Sequence, residues 1–372
     1  MNPSIRVFRK ISILAWLIVL ASIPVSGQDT EEVVNQSRAL IQEAMESDHF
    51  PGVSIAVSVK GEVVWAEGFG FADIENEVAV TTDSKFRIGS ISKPFTAAAI
   101  AQLYSVGQLD VDAPIQTYVP TFPEKRWTVT TRQVGGHIAG IRHYLGMENF
   151  STRHYETVSE GLEIFQDSPL LFEPGTDYSY SSYGWNLISA VVEGSSGEEF
   201  LEYMDEHVFG ALQMENTEAD MATEEIDNRV SFYVASADGT PELGPEVDNS
   251  YKWAGGGFLS TPLDMIKFSQ AHMGDAFLDA DARTLLFTSQ KTSDGELTNY
   301  GFGWGVNQDE KGRLLLGHTG GSVGGTTLMT MNPDQDIVVT MTINLSRANL
   351  AVGRSIMQLF LDAAPFLDEE RN

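Results

Sequence analysis

Residues 86–100 read FRIGSISKPFTAAAI, and the spacing of three side chains in this stretch decides how the whole chain is read. Pro94 has no backbone N–H, so it fits a helix only in the first turn, where none is needed. The helix carrying the apolar run is therefore expected to begin at about Ser90, with Gly89 easing the turn into it. Side chains three residues apart share a helix face, so Ser90 and Lys93 can touch. A serine hydroxyl is a poor nucleophile until a neighbouring base takes its proton. A lysine can take it when neutral near pH 7, and burial and the positive end of the helix dipole both push it that way. Lys93 is the only charge between Arg87 and Asp110, and a lone charge opening a buried helix needs a reason. Taken alone, Ser-x-x-Lys is weak, and an N-cap serine beside a surface lysine reads as well.

Outward from this stretch the pattern alternates between helix and strand. Residues 30–48 space their apolar side chains by three and four, as an amphipathic helix does. VSIAVSVKGEVVWAEGFGFAD (53–73) alternates, is rich in β-branched residues and has Lys60-Gly61 at a turn, which predicts a hairpin. AAAIAQLYSVGQL (97–109) has no charge, so its helix is expected to be buried on every side. The middle, about 108–250, reads as helices joined by long loops, with helical pieces at YETVSEGLEIFQ (155–166) and GWNLISAVVE (184–193). Ser260-Thr261-Pro262-Leu263-Asp264 supplies a cap, a first-turn proline and an early acid for a further helix. Strands return at YGFGWGVN, RLLLGHTGG, TTLMTMN and DIVVTMTIN, before a last helix, GRSIMQLFLDAA. Strands at both ends with helices between predict an α+β fold: one sheet closed by distant segments, with a helical lobe inserted. The expected division is an α/β lobe at about 30–88 and 251–366, a helical lobe at about 89–250, and an acidic tail at 367–372.

Charge and composition narrow the partners. Arg6, Arg9 and Lys10 precede an apolar run from Ile11 to Ile23, followed by Val25, Ser26 and Gly27. That layout predicts a signal peptide, 1–27, and an exported, periplasmic or extracellular protein; a retained membrane anchor is the alternative. Cleavage would remove three positive charges and take the formal charge from −29 to −32. Such a surface repels nucleic acid and anionic membranes, which argues against both as partners. The sequence has no cysteine, so disulfides, thiol catalysis, cysteine metal sites and a lipoprotein-type anchor are excluded.

With these elements in place, Ser90-Ile91-Ser92-Lys93 resembles the active-site motif of the serine β-lactamase and penicillin-binding-protein superfamily. The resemblance is to its class C-like branch, which includes esterases and D-peptidases. FEPGTDYSYSSYGWN (172–186) is similar to that branch's Tyr-x-Asn loop, with Tyr180-Ser181-Ser182 in register. LLLGHTGGSVGG (314–325) is similar to its Lys/His-Thr-Gly strand, with His318-Thr319-Gly320. GGHIAGIRHY (135–144), WAGGGFLSTPLDM (253–265) and YGFGWG (300–305) follow in family order, so the likeness spans about residues 50 to 345. It implies a β-lactamase/transpeptidase-like fold, with a central antiparallel sheet flanked by helices. Ser90 would then attack, Lys93 and Tyr180 would pass its proton, and the N–H groups of Ser90 and Gly321 would form an oxyanion hole. His318, Thr319, Gly320 and Ser182 would hold the substrate, a small peptide, ester or β-lactam, and no metal or cofactor is implied.

Several residues carry a second reading. Ser182 stands where many members have asparagine, and its hydroxyl reaches less far than an amide, which weighs against efficient β-lactam turnover. A histidine at 318 is expected to make activity sensitive to pH around 6 to 7. Tyr183 replaces Tyr180 if the loop is shifted. His137 and His143 look like metal ligands but have no third partner at suitable spacing, so loop-orienting roles are expected. Gly320-Gly321-Ser322-Val323-Gly324 matches a nucleophile elbow, which must join a strand to a helix. The alternating sequence after it predicts a hairpin instead, so an esterase using Ser322 is the rival among enzymes. A binding or scaffold protein that kept the fold is the rival outside them.

Overall fold

The computed structural model describes residues 28–369, with side chains from 30 to 364. The expected leader, 1–27, lies outside the described residues, as does the end of the acidic tail. Helix α1 (Gln28–Asp48) leads into strands β1 (Gly52–Val59), β2 (Glu62–Asp73) and β3 (Val78–Ala79). Lys60 and Gly61 both have positive φ, 54° and 78°, the two-residue turn whose twist matches that of its flanking strands. A short strand β4 (Phe86–Arg87) precedes a 3₁₀ turn (Gly89–Ile91) and helix α2 (Ser92–Ser105). The middle holds α3 (Thr131–Gly135), α4 (Val158–Leu162), α5 (Ser182–Ser196), α6 (Phe200–Tyr203), and small strands β5 (Glu218–Ala219), β6 (Tyr233–Ala235) and β7 (Pro241–Leu243). Then come α7 (Trp253–Gly256), β8 (Phe258–Ser260), α8 (Pro262–Met273), α9 (Ala280–Phe287), β9 (Gly305–Gln308), β10 (Leu314–Ser322), β11 (Gly325–Asn332), β12 (Ile337–Ile343) and α10 (Ala351–Glu369).

Seven strands form one antiparallel sheet in the order β3-β2-β1-β12-β11-β10-β9. Val53 to Val59 on β1 lie opposite Ile343 to Ile337 on β12, so strands from the two ends of the chain meet at its centre. β1, β11 and β12 are buried at every position, because both faces of the sheet are covered. One face packs on α1 and α10 through residues such as Ile55, Val57, Ile343 and Phe360. The other packs on α8 and the helical lobe through Ala56, Met329 and Val338. Strands covered on both faces lose the polar alternation of a half-exposed sheet. Among the described residues, no helix is long and apolar enough to cross a membrane.

Three local expectations are corrected. The α-helix begins at Ser92, and Ser90 sits on the 3₁₀ turn before it, where Gly89 at φ 50° reverses the backbone. YGFGW (300–304) is not strand: Gly303 is left-handed, at φ 78°, and the Gly301 N–H bonds the Trp304 carbonyl, so pairing starts only at Gly305. The helix read at 155–166 shrinks to one short turn, Val158–Leu162, capped by Thr157. The middle is also not purely helical. β5 and β4 flank β8 in a small sheet, while β6 pairs with β7.

Candidate active site

α2 is buried along nearly its whole length, between α5, α7 and α9, and delivers Lys93 to the foot of the lobe with no exposed surface. Its Nζ lies 3.0 Å from Ser90 Oγ, 3.2 Å from Ser182 Oγ and 2.6 Å from the Gly255 carbonyl oxygen. A carbonyl only accepts, so one N–H is committed to Gly255. A neutral amine then has one N–H for Ser182 and a lone pair for the Ser90 hydroxyl proton. Burial, helped by the positive charge of Lys252, holds Lys93 well below the ordinary lysine range.

Lys252, immediately before α7, was not singled out by the sequence. It too is buried, and burial with the nearby Arg87 lowers it to about 7, against the opposing pull of Asp220 and Asp248. Its Nζ lies 3.4 Å from the Asn149 carbonyl oxygen and 5.1 Å from the centre of the Tyr251 ring. The only sequence signal was position: it stands one residue ahead of the WAGGG run.

The Tyr180–Ser182 loop closes over the pair. The Tyr180 ring centre lies 5.0 Å from Lys93 Nζ, which is itself 3.0 Å from Ser90 Oγ. Burial pushes the phenol up, so it remains an O–H at neutral pH, with a proton available to donate. His137 Nδ1 accepts the Ser181 N–H at 3.1 Å, and His143 Nδ1 accepts the Ser182 N–H at 3.0 Å. Both imidazoles are held down by burial and by Lys93, His143 to about 4, so each keeps the lone pair its contact needs. The two histidines clamp the loop. Tyr183 points elsewhere, donating to Glu148 at 2.9 Å and stacking on Phe165.

β10 completes the site. A Cβ on Gly89 would lie 2.7 Å from Gly321 N, and one on Gly320 would collide with the Ile88 carbonyl oxygen. The absence of side chains there lets the strand lie directly on the Ser90 turn, which brings the N–H groups of Ser90 and Gly321 into one neighbourhood. The space in front of Gly321 is open, and Thr319 is exposed. An open groove of about 880 Å³ begins at Tyr180, Tyr300, His318 and Thr319 and extends to Arg354 and Met357 on α10.

The surroundings of His318 weigh against the pH sensitivity expected of it. Its Nδ1 lies 2.6 Å from the Thr319 carbonyl oxygen and its Nε2 lies 2.9 Å from the Tyr300 hydroxyl. The carbonyl only accepts, so Nδ1 donates, and in the neutral ring Nε2 then accepts from Tyr300. Burial first, and Lys93 whenever it is protonated, lower its pKa to about 3, which favours the neutral ring at pH 7. Ser322 lies at the end of β10, joined to β11 through Val323 and Gly324, with its Oγ buried and unpartnered among the described residues. No helix follows it, so the geometry of a nucleophile elbow is missing.

A serine–lysine pair under an antiparallel sheet, with a tyrosine loop on one side and a glycine-rich strand on the other, defines the fold class of serine β-lactamases and penicillin-binding proteins. The chain belongs to this family: the family model described as Beta-lactamase matches residues 38–359. It is 31% identical to the human mitochondrial serine β-lactamase-like protein LACTB over 84% of this chain and 74% of that one. It is 27% identical to penicillin-binding protein 4* of Bacillus subtilis over 78% of this chain and 67% of that one. An octameric penicillin-binding-protein homologue from Pyrococcus abyssi superimposes with a TM-score of 0.78 at 26% identity, covering 91% of this chain and 80% of that one.

Proposed function

We propose that the protein is an exported serine hydrolase that acts through an acyl-enzyme on amide or ester bonds of small peptides or esters. The observation that carries this reading is the wholly buried Lys93 Nζ, 3.0 Å from Ser90 Oγ. Ser90 Oγ attacks the substrate carbonyl carbon while its proton passes to Lys93. The N–H groups of Ser90 and Gly321 take up the charge on the carbonyl oxygen. The tetrahedral adduct collapses, the bond to the leaving group breaks, and Tyr180 supplies that group's proton and is resupplied from Lys93. Water then attacks the Ser90 ester, its proton returns through the same groups, and the acid product leaves with Ser90 restored.

Fluorophosphonate labelling followed by peptide mass spectrometry tests the assignment. The adduct is expected on the Ser90 peptide, lost in Ser90→Ala and retained in Ser322→Ala. An adduct that follows Ser322 would move the nucleophile to the hairpin. No adduct on folded protein would leave a fold kept for binding.

A further inference from the structure

We propose that Tyr300 and His318 set the substrate class: they form an uncharged wall that admits neutral leaving groups and disfavours short ones bearing a carboxylate. This rests on the serine-hydrolase reading, because it concerns the side of Ser90 from which the leaving group departs. Tyr180, which protonates that group in the proposed cycle, lines the same groove, with its ring centre 6.4 Å from that of Tyr300 and 6.2 Å from that of His318. The edge of β10 is free there, since β9 pairs only with Leu314 to Gly317.

Both nitrogens of His318 are occupied, one by the Thr319 carbonyl oxygen and the other by the Tyr300 hydroxyl. Tyr300 is itself buried, its ring centre lies 4.7 Å from that of His137, and burial keeps its phenol protonated. Its O–H therefore has a fixed acceptor in a neutral imidazole. The titratable groups facing His318 are Lys93 from α2, His137 from the loop after α3, Tyr178 and Tyr180 from the loop before α5, and Tyr300. None is a carboxylate that would favour the imidazolium. Lys93 is engaged by Ser90, Ser182 and Gly255. Of the groove's other charged residues, Lys311 is tied to Asp362 at 2.6 Å and Asp309 to Arg313 at 2.6 Å, while Glu310 and Arg354 also line it. A carboxylate close to the scissile bond would be desolvated beside neutral groups and left unpaired.

The test compares kcat/KM for phenyl acetate and 3-carboxyphenyl acetate at pH 5.5 and 8, together with NMR of the His318 ring. The wild type is expected to favour the neutral ester by about tenfold or more, as an uncompensated charge in a partly desolvated site requires. Its His318 signals should not titrate between pH 5 and 8. His318→Lys should narrow or reverse the preference by placing a cation on the wall. Tyr300→Phe should raise the pH at which His318 titrates and make the preference pH-dependent. A wild type that favours the carboxylated ester overturns the inference, and so does a preference unmoved in both variants. A wild-type preference abolished in Arg354→Gln would assign the selection to α10 and overturn it as well. The two readings fail separately. An unlabelled Ser90 sinks the hydrolase reading while the His318 titration still reports on the Tyr300–His318 contact. A labelled Ser90 with the opposite ester preference sinks only this inference.

Discussion

Lys93 makes its shortest hydrogen bond to the carbonyl oxygen of Gly255, at 2.6 Å, rather than to Ser90 Oγ, at 3.0 Å. The carbonyl fixes one N–H and so orients the rest of the amine. In the neutral amine, with Ser182 taking the second N–H, the lone pair is what remains for Ser90. The proposed mechanism makes this amine the base, and Lys93→Met removes it with little change in volume. Labelling of Ser90 by a fluorophosphonate is expected to slow by about 10²- to 10⁴-fold. The thermal midpoint should hold or rise, since an apolar side chain replaces a buried ionisable one. Stopped labelling reactions and a melting curve on the same sample check both halves.

The second buried lysine gives the site a measurable pH signature. In the proposed mechanism acylation needs neutral Lys93, so activity is expected above the folded-state pKa of Lys93 and should be lost as pH falls through it. Lys252 holds that value down by like-charge repulsion. Lys252→Met should therefore move the acid limb of the labelling rate to higher pH, while Lys252→Arg should leave it in place or lower it. Stability carries the same sign. Lys252 titrates at about 7 when folded against 10.5 ordinarily, so between those values the unfolded chain binds more protons. Its contribution to stability rises with pH across that window. Urea midpoints at pH 7 and 9 should differ less in Lys252→Met than in the wild type.

What the sequence made legible was local, and what it hid was tertiary. Ser90, Lys93 and Pro94 sit within one turn, so geometry alone could place them together. Lys60-Gly61 announced its hairpin in the same way. The 3₁₀ turn that carries Ser90 arises from Gly89 being pressed against Gly321, a contact across 232 positions that no local pattern reports. Lys252 reads as an ordinary charged residue until the fold buries it beside Tyr251. The neutrality of His318 depends on Tyr300, which looked like part of a strand because YGFGWGVN alternates, although its glycines turn the chain instead.

Tyr180 separates two kinds of substrate. In the proposed cycle its phenol is the donor, so its main task there is to protonate a departing atom. An amide nitrogen needs that proton and a nitrophenolate does not. Tyr180→Phe is expected to retain p-nitrophenyl acetate turnover within about tenfold while amide cleavage falls by about 10²-fold or more. Equal losses on both substrates would instead assign Tyr180 to holding the loop.

Gly89 is where fold and site are hardest to separate, and a single methyl group probes the join. At φ 50°, any other residue is strained, and a Cβ would lie 2.6 Å from Gly321 O and 2.7 Å from Gly321 N. That neighbour is backbone held in register with β11 through Gly321 and Thr326, so it cannot swing aside as a flexible side chain would. Gly89→Ala should therefore cost about 1–3 kcal/mol of stability. The strand has to retreat from the Ser90 turn, which separates the two N–H groups proposed to receive the oxyanion. Labelling of Ser90 should fall by more than the unfolded fraction explains, with the Lys93-dependent acid limb unmoved. Gly107→Ala, at φ 73° with nothing near its Cβ, is the control: it carries backbone strain without the collision, so it should lose some stability while labelling per folded molecule stays at the wild-type rate.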